Sequence, residues 1–364
     1  MQNPLSDRLY HSRVKPRKPD LRGDYFRDHT AVIHSTAFRR LKHKTQVFFF
    51  PRNDHICTRI EHVLHVSTIA TTICKGLGLD VELAQAIALG HDLGHAPFGH
   101  IGEKTLNQAA SKSGGFIHEV HGLRVVDKIS NNGRGLNLTY AVRDGIVSHC
   151  GEAFFKSIKP DPKPKNLEAI RARQTSPLTY EGCVVRVAYK IAYLGRDVED
   201  AVAAGLISPR DLPAVLKRNL GRTNGEIIDT MVLDVVKSSA GKDRILFSDG
   251  RFELLCRLKD FNYSRIYNHP RLLESDRLIH RLVVEIYEHL SKCFSRSGFR
   301  VKTYAESKHR CVRHFGQFLD SRKALYAGET HPERSVVDFI AGMSDMYALE
   351  SAREVLFPDR IEID

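Results

Sequence analysis

Residues 81–100, VELAQAIALGHDLGHAPFGH, join two features that leave a chain few folds to choose from. The first half is apolar on several faces (Leu83, Ala84, Ala86, Ile87, Ala88, Leu89), and a helix of that kind belongs in the middle of a domain. The second half places His91, Asp92, His95 and His100 within ten residues, in a turn shaped by Gly94, Pro97 and Gly99. A buried helix is therefore expected to deliver a dense set of polar, ligand-type side chains into the interior. The stretch before it fits the same picture. Ile56, Ile60, Val63, Leu64 and Ile69 recur at helical spacing up to Lys75, Gly76 and Gly78 give a stop signal, and Asp80 caps the next helix.

Helical periodicity continues through most of the chain. It predicts helices at about 102–112, 118–130, 138–149, 182–205, 209–218, 225–239, 249–267, 271–294, 306–325 and 333–354, besides one at Ala31–Lys42. Only Thr45–Phe50, β-branched and aromatic and ended by Pro51, reads as a short strand or extended segment. The fold class is all-α. Residues 1–28, with Pro4, Pro16, Pro19 and Gly23 among charges, read as a basic, loosely ordered arm; 29–240 form the core; 241–364 form a C-terminal helical region packed on it. Residues 157–177 are Pro- and Lys-rich and read as a surface loop or lid.

Composition narrows the setting. The formal charge of +12 steers anionic partners toward the chain, nucleotides and single-stranded nucleic acid among them. The seven cysteines form no CxxC pair, and the opening residues lack the apolar run of a secretory leader, so a reducing cytoplasm is the expected home. No window approaches the ~18 consecutive apolar residues of a membrane span.

Histidine followed directly by aspartate, with a second histidine on a neighbouring helix, offers neutral nitrogen and anionic oxygen to a divalent transition metal. His62, His91 and Asp92 make such a set. Arg59 precedes His62 by three residues and so shares its helix face.

Four segments together resemble the HD-domain deoxynucleotide triphosphohydrolases, the dGTPase-like family: HSTAFRRLKHKTQVF (34–48), TRIEH (58–62), GHDLGHAPFGH (90–100) and KIAYLGRDVEDA (190–201). The likeness runs over about 20–205 and returns at 335–354. It implies an HD-domain phosphohydrolase fold with additional C-terminal helices, a divalent metal (Mn, Mg, Fe, Ni or Zn), cleavage of a dNTP to deoxynucleoside and triphosphate, and a homo-oligomer, tetramer or hexamer. Residue by residue, the resemblance makes His62, His91 and Asp92 metal ligands and gives Arg59 a triphosphate oxygen. His95, His100 and His118 match catalytic and phosphate-facing histidines, with Glu119 as the acid/base partner of His118. Gln46 matches a residue near the sugar, and Lys190, Tyr193 and Asp197 match phosphate, sugar-stacking and 3′-hydroxyl contacts.

One departure stands out. The family's fourth metal ligand is an aspartate just before the KIAY-type segment, and this chain has Tyr189 there. A neutral phenol is a weak ligand unless a metal strips its proton. Three protein ligands still suffice for a catalytic metal in principle. Asp197 lies about 12 Å further along the helix, and Glu181 would reach the site only if the chain before the helix folded back. Two functions follow as expectations: a dNTP triphosphohydrolase, with dGTP a candidate for the preferred substrate, or an HD-fold module that binds dNTPs or single-stranded nucleic acid with little chemistry.

Overall fold

The computed structural model describes residues 1–49, 55–150, 154–174 and 176–357. Its architecture is almost entirely helical. After α1 (Asp7–Tyr10), α2 (Asp24–Ile33) and α3 (Thr36–Arg40) come α4 (Arg59–Leu77), α5 (Val81–Gly90), α6 (Gly99–Ala109), α7 (His118–Arg124), the short α8 (Ser130–Gly133), α9 (Tyr140–Ser148) and α10 (Tyr180–Ala203). The second half holds α11 (Ala214–Asn219), α12 (Asn224–Ser239), α13 (Asp249–Asn262), α14 (Pro270–Ser297), α15 (Val301–Ala305), α16 (Arg310–Ser321), α17 (Lys323–Ala327), α18 (Arg334–Ala341) and α19 (Asp345–Leu356).

Helix α5 sits where its sequence requires. It packs against α2, α4, α9 and α10, and Ala84, Ala86, Ile87 and Ala88 are fully buried. The Asp80 carboxylate caps it by accepting the Leu83 N–H at 2.9 Å. Helix α4 starts with the Glu61 carboxylate accepting the Thr58 N–H at 2.7 Å and ends at Gly78, whose φ of 67° closes the last turn. One apolar cluster joins these helices to α12 and α13. A second joins Ala96, Phe98, Leu106 and Phe116 to α14, α16, α18 and α19.

The HDLGHAPFGH turn lies between the two clusters and is braced from the far end of the chain. Asp345 accepts the Phe98 N–H with one carboxylate oxygen, at 2.9 Å. Its other oxygen accepts the Thr45 N–H at 2.9 Å and the Thr45 hydroxyl at 2.7 Å. Lys44, fully enclosed, donates to the carbonyls of His95 at 2.5 Å and Ala341 at 2.8 Å. Phe98 is held at φ 61°, a conformation rare for a residue with a side chain.

Several expected elements are corrected. The arm is docked rather than loose: Tyr10 is buried and donates to the Leu178 carbonyl at 2.9 Å, and Arg13 reaches Asp28 at 2.5 Å. The helix expected at Ala31–Lys42 begins at Asp24 and breaks at Ser35, whose hydroxyl accepts the Phe38 N–H at 3.1 Å and starts α3. Of the short strand or extended segment expected at Thr45–Phe50, the described residues form one bridge, Thr45 with Thr58, and the Thr45 N–H and hydroxyl donate to Asp345; Phe50 lies outside the described residues. A two-residue strand, Ser157–Ile158, forms instead at the start of the expected loop and pairs antiparallel with Ile245–Leu246. The segment 333–354 splits into α18 and α19, with Ser344 capping the second.

Candidate metal and phosphate site

Helices α4, α5, α7, α9 and α10 bring their polar residues to one buried point. His62, His91 and Asp92 each direct a ligand-type atom there, all within 4.8 Å of one another. His91 Nδ1–H donates to the Ala88 carbonyl at 2.6 Å, which leaves the Nε2 lone pair facing inward. Among the described residues His62 Nε2, His91 Nε2 and Asp92 Oδ1 are buried without a hydrogen-bond partner, Asp92 Oδ1 standing 3.2 Å from His91 Nε2 and 3.5 Å from His95 Nε2. Unpartnered buried polar atoms are costly, and three of them converging as two nitrogens and a carboxylate oxygen fit a divalent cation. Burial lowers the His62 pKa to about 3 and also lowers that of His91, so both rings are neutral donors. Burial alone would raise the Asp92 pKa, but its polar surroundings, the Arg59 guanidinium among them, hold it well below the usual carboxylate range.

Arg59 is 1 % exposed and donates to Asp92 Oδ2 at 2.8 Å. It passes beneath Gly99, where a Cβ would lie 3.2 Å from both its Nη2 and the Gln46 carbonyl. Gln46 Oε1 is buried and has no hydrogen-bond partner among the described residues.

His95 stacks on His118 with ring centroids 3.8 Å apart. Two imidazoles so close cannot both carry a proton's charge, and their neighbours decide between them. Burial and Arg59 push the His95 pKa far down. Burial would lower His118 too, but Glu103 and Glu119 raise it well above its ordinary value. His118 Nδ1–H donates to Glu103 Oε2 at 2.8 Å, and Glu119 Oε2 stands 3.3 Å away. Glu103 is thus the nearer partner of His118. Glu119 is fully buried and accepts from Arg173 Nε at 2.9 Å; that arginine also reaches Glu103 at 3.3 Å. His100 stands at the mouth, its side chain 72 % exposed and 3.9 Å from Glu103.

Helix α10 forms the remaining wall. The Tyr189 ring meets His62 edge-on at 5.4 Å and His91 at 5.7 Å, so this position does face the cluster. Burial raises its phenol pKa well above 10. Lys190 is buried with its ammonium 4.5 Å from the Phe154 ring centre, and burial lowers its pKa to about 8. Tyr193 lies 5.3 Å from Tyr189, and Asp197 accepts the Tyr267 hydroxyl at 2.5 Å. Burial raises the Asp197 pKa to about 7. Glu181 points elsewhere, accepting from Asn3 at 2.9 Å and the Asp80 N–H at 3.0 Å.

The residues the sequence reading missed are Glu103, His149, Arg173 and Tyr267. Glu103 had one signal, its position three residues after His100. His149 closes α9, donates Nδ1–H to the Ile146 carbonyl at 2.7 Å, and lies 4.8 Å from the His91 ring.

The chain is similar to known proteins along nearly its whole length. Residues 59–194 match the HD domain and 245–354 the phosphohydrolase-associated domain. A deoxyguanosinetriphosphate triphosphohydrolase-like protein of Caldanaerobacter subterraneus is 36% identical over 359 residues, 98% of this chain and 92% of its own. Proteins of the same name from Desulfatibacillum aliphaticivorans and Clostridium tetani are 36% and 34% identical, each over 95% of this chain and covering 91% and 89% of theirs. Matching nearly end to end and carrying the histidine–aspartate cluster on its buried helices, the chain belongs to the HD-domain, deoxyguanosinetriphosphate triphosphohydrolase-like family of helical phosphohydrolases.

Proposed function

We propose that the protein hydrolyses deoxynucleoside triphosphates at the α-phosphorus, giving a deoxynucleoside and inorganic triphosphate. The observation that carries this reading is the convergence of His62 Nε2, His91 Nε2 and Asp92 Oδ1, unpartnered and buried, beside the stacked His95–His118 pair. His62, His91 and Asp92 would hold a divalent cation, which would supply Lewis acidity toward water and a phosphoryl oxygen. Water adds to the α-phosphorus, the bond to the 5′-oxygen breaks, and the leaving oxygen takes a proton. His118 is poised to give that proton, since Glu103 and Glu119 keep its ring charged at neutral pH. Arg59 and Lys190 neutralise the departing triphosphate, and Asp197 receives the 3′-hydroxyl.

Incubation with each dNTP and Mn²⁺, with detection of released triphosphate, tests the reading. Triphosphate is expected from at least one dNTP, dGTP first among the candidates. Nucleotide-induced thermal stabilisation without turnover under any metal would instead make the protein a dNTP sensor, the reading that Tyr189 in the carboxylate's place favours. Tyr189→Asp is expected to raise divalent-metal affinity about 10- to 100-fold, read by isothermal titration. An unchanged affinity would mean that a carboxylate at position 189, though it faces the cluster, does not reach the ion.

The 3′-hydroxyl contact leads to a stability prediction. A carboxyl whose pKa is raised on folding costs stability where it must ionise, so the penalty is largest above about 7 and fades as pH falls toward 4. Asp197→Asn is expected to gain stability on the order of 2–4 kcal/mol at pH 8 while weakening dNTP binding. Thermal melts at pH 8 and 5 check it, the gain shrinking at the lower pH.

A further inference from the structure

Beside the His62–His91–Asp92 set lies a second group of ligand atoms that it does not use. His118, His149 and Cys150 each direct a donor to a common point, all within 4.8 Å of one another. Both histidines are fully buried. Each has its Nδ1 committed, His118 to Glu103 at 2.8 Å and His149 to the Ile146 carbonyl at 2.7 Å; among the described residues neither Nε2 has a hydrogen-bond partner beyond the Cys150 thiol that faces His118. Nδ1 partners of this kind orient metal-binding imidazoles. Cys150 is half-buried and a free thiol at the end of α9.

We propose that His118, His149 and Cys150 form a second, softer cation site that takes a zinc-class ion and, when filled, removes His118 from acid duty. The donor chemistry separates the two sites. Two imidazoles and a carboxylate accept hard and borderline ions alike, whereas two imidazoles and a thiolate select zinc-class ions over manganese or magnesium. The sites adjoin, with the His91 and His149 rings 4.8 Å apart, yet the two triads share no residue. Filling the second releases the Cys150 thiol proton and the His118 Nε2 proton to solvent; nothing is oxidised or reduced. The nitrogen that would hand a proton to the leaving oxygen then binds the ion, so zinc inhibits the manganese-supported reaction. Only this last consequence rests on the proposed function. Occupancy of the site does not.

Cobalt titration of the metal-free full-length protein tests occupancy directly. The wild type is expected to show a near-ultraviolet thiolate-to-cobalt charge-transfer band that Cys150→Ser and Cys150→Ala both lack. Zinc-loaded wild type should retain one more ion per chain than either variant. Zinc should also inhibit manganese-supported dNTP cleavage at a concentration at least ~10-fold lower in the wild type than in the variants, each compared with its own zinc-free rate. Absence of the band in the wild type, or equal zinc content in all three proteins, overturns the proposal even if no dNTP is cleaved. A band and extra ion without zinc inhibition would overturn the inhibitory consequence while leaving the site in place.

Discussion

Asp92→Ala is expected to remove dNTP cleavage by ~10³-fold or more and to lower stability as well. The activity loss follows from taking away the only carboxylate in the proposed metal set. The stability loss has a separate cause. Asp92 accepts from Arg59 at 2.8 Å, and Arg59 is 1 % exposed, so the variant leaves a guanidinium charge buried without its partner. Breaking a buried pair from one side costs about 3–5 kcal/mol. Thermal melts and metal content measured on one preparation distinguish the two effects. A variant that loses metal but melts with the wild type would show that Arg59 finds another partner or solvent when Asp92 is gone.

The second large effect is expected at Gly94. Its Cβ would lie 2.1 Å from the His118 carbonyl oxygen and 2.2 Å from the Gly122 nitrogen, backbone atoms that no side-chain rotation can clear. Gly94→Ala must therefore push the histidine–aspartate turn away from α7. Overpacking of cores costs about 1–3 kcal/mol, and a backbone-to-backbone clash belongs at or above the upper end. It also pulls His95 off His118, whose rings now stack at 3.8 Å, so activity should fall further than the melting temperature implies. Gly328→Ala serves as the control, because nothing lies within 4 Å of its added Cβ. Equal melting temperatures for the two variants would contradict the packing account.

What the sequence made legible, and what it hid, divides along a physical line. Periodicity exposed α5 because an all-round apolar segment has one sensible location, and residues adjacent in sequence, such as His91 and Asp92, reach the site together. Arg59 and His62 were readable for the same reason, one helical turn apart. Partners separated by long stretches of chain left no such trace. Glu103 on α6 meets His118 on α7, Arg173 comes in from the Pro- and Lys-rich loop, and Tyr267 reaches Asp197 from the end of α13. Beyond the three-residue step from His100 to Glu103, nothing in the local pattern singles these out. The same holds for Asp345, which ties Thr45 and Phe98 together from the far end of the chain. The short strand or extended segment expected at Thr45–Phe50 keeps only a bridge at Thr45, whose N–H is drawn to that distant carboxylate. Tyr189 shows the reverse. The sequence identified it as a departure, and the structure shows the ring at the edge of both His62 and His91.

The central claim is that His62, His91 and Asp92, without a fourth carboxylate at position 189, hold a working metal. The most direct measurement titrates Mn²⁺ into metal-free protein, follows free Mn²⁺ by electron paramagnetic resonance, and then adds dGTP to the same samples. The expected result is one Mn²⁺ bound per chain, absent in His91→Ala, with triphosphate released in proportion to occupancy. Triphosphate release that is indifferent to Mn²⁺ occupancy, or Mn²⁺ binding that survives His91→Ala, would contradict it.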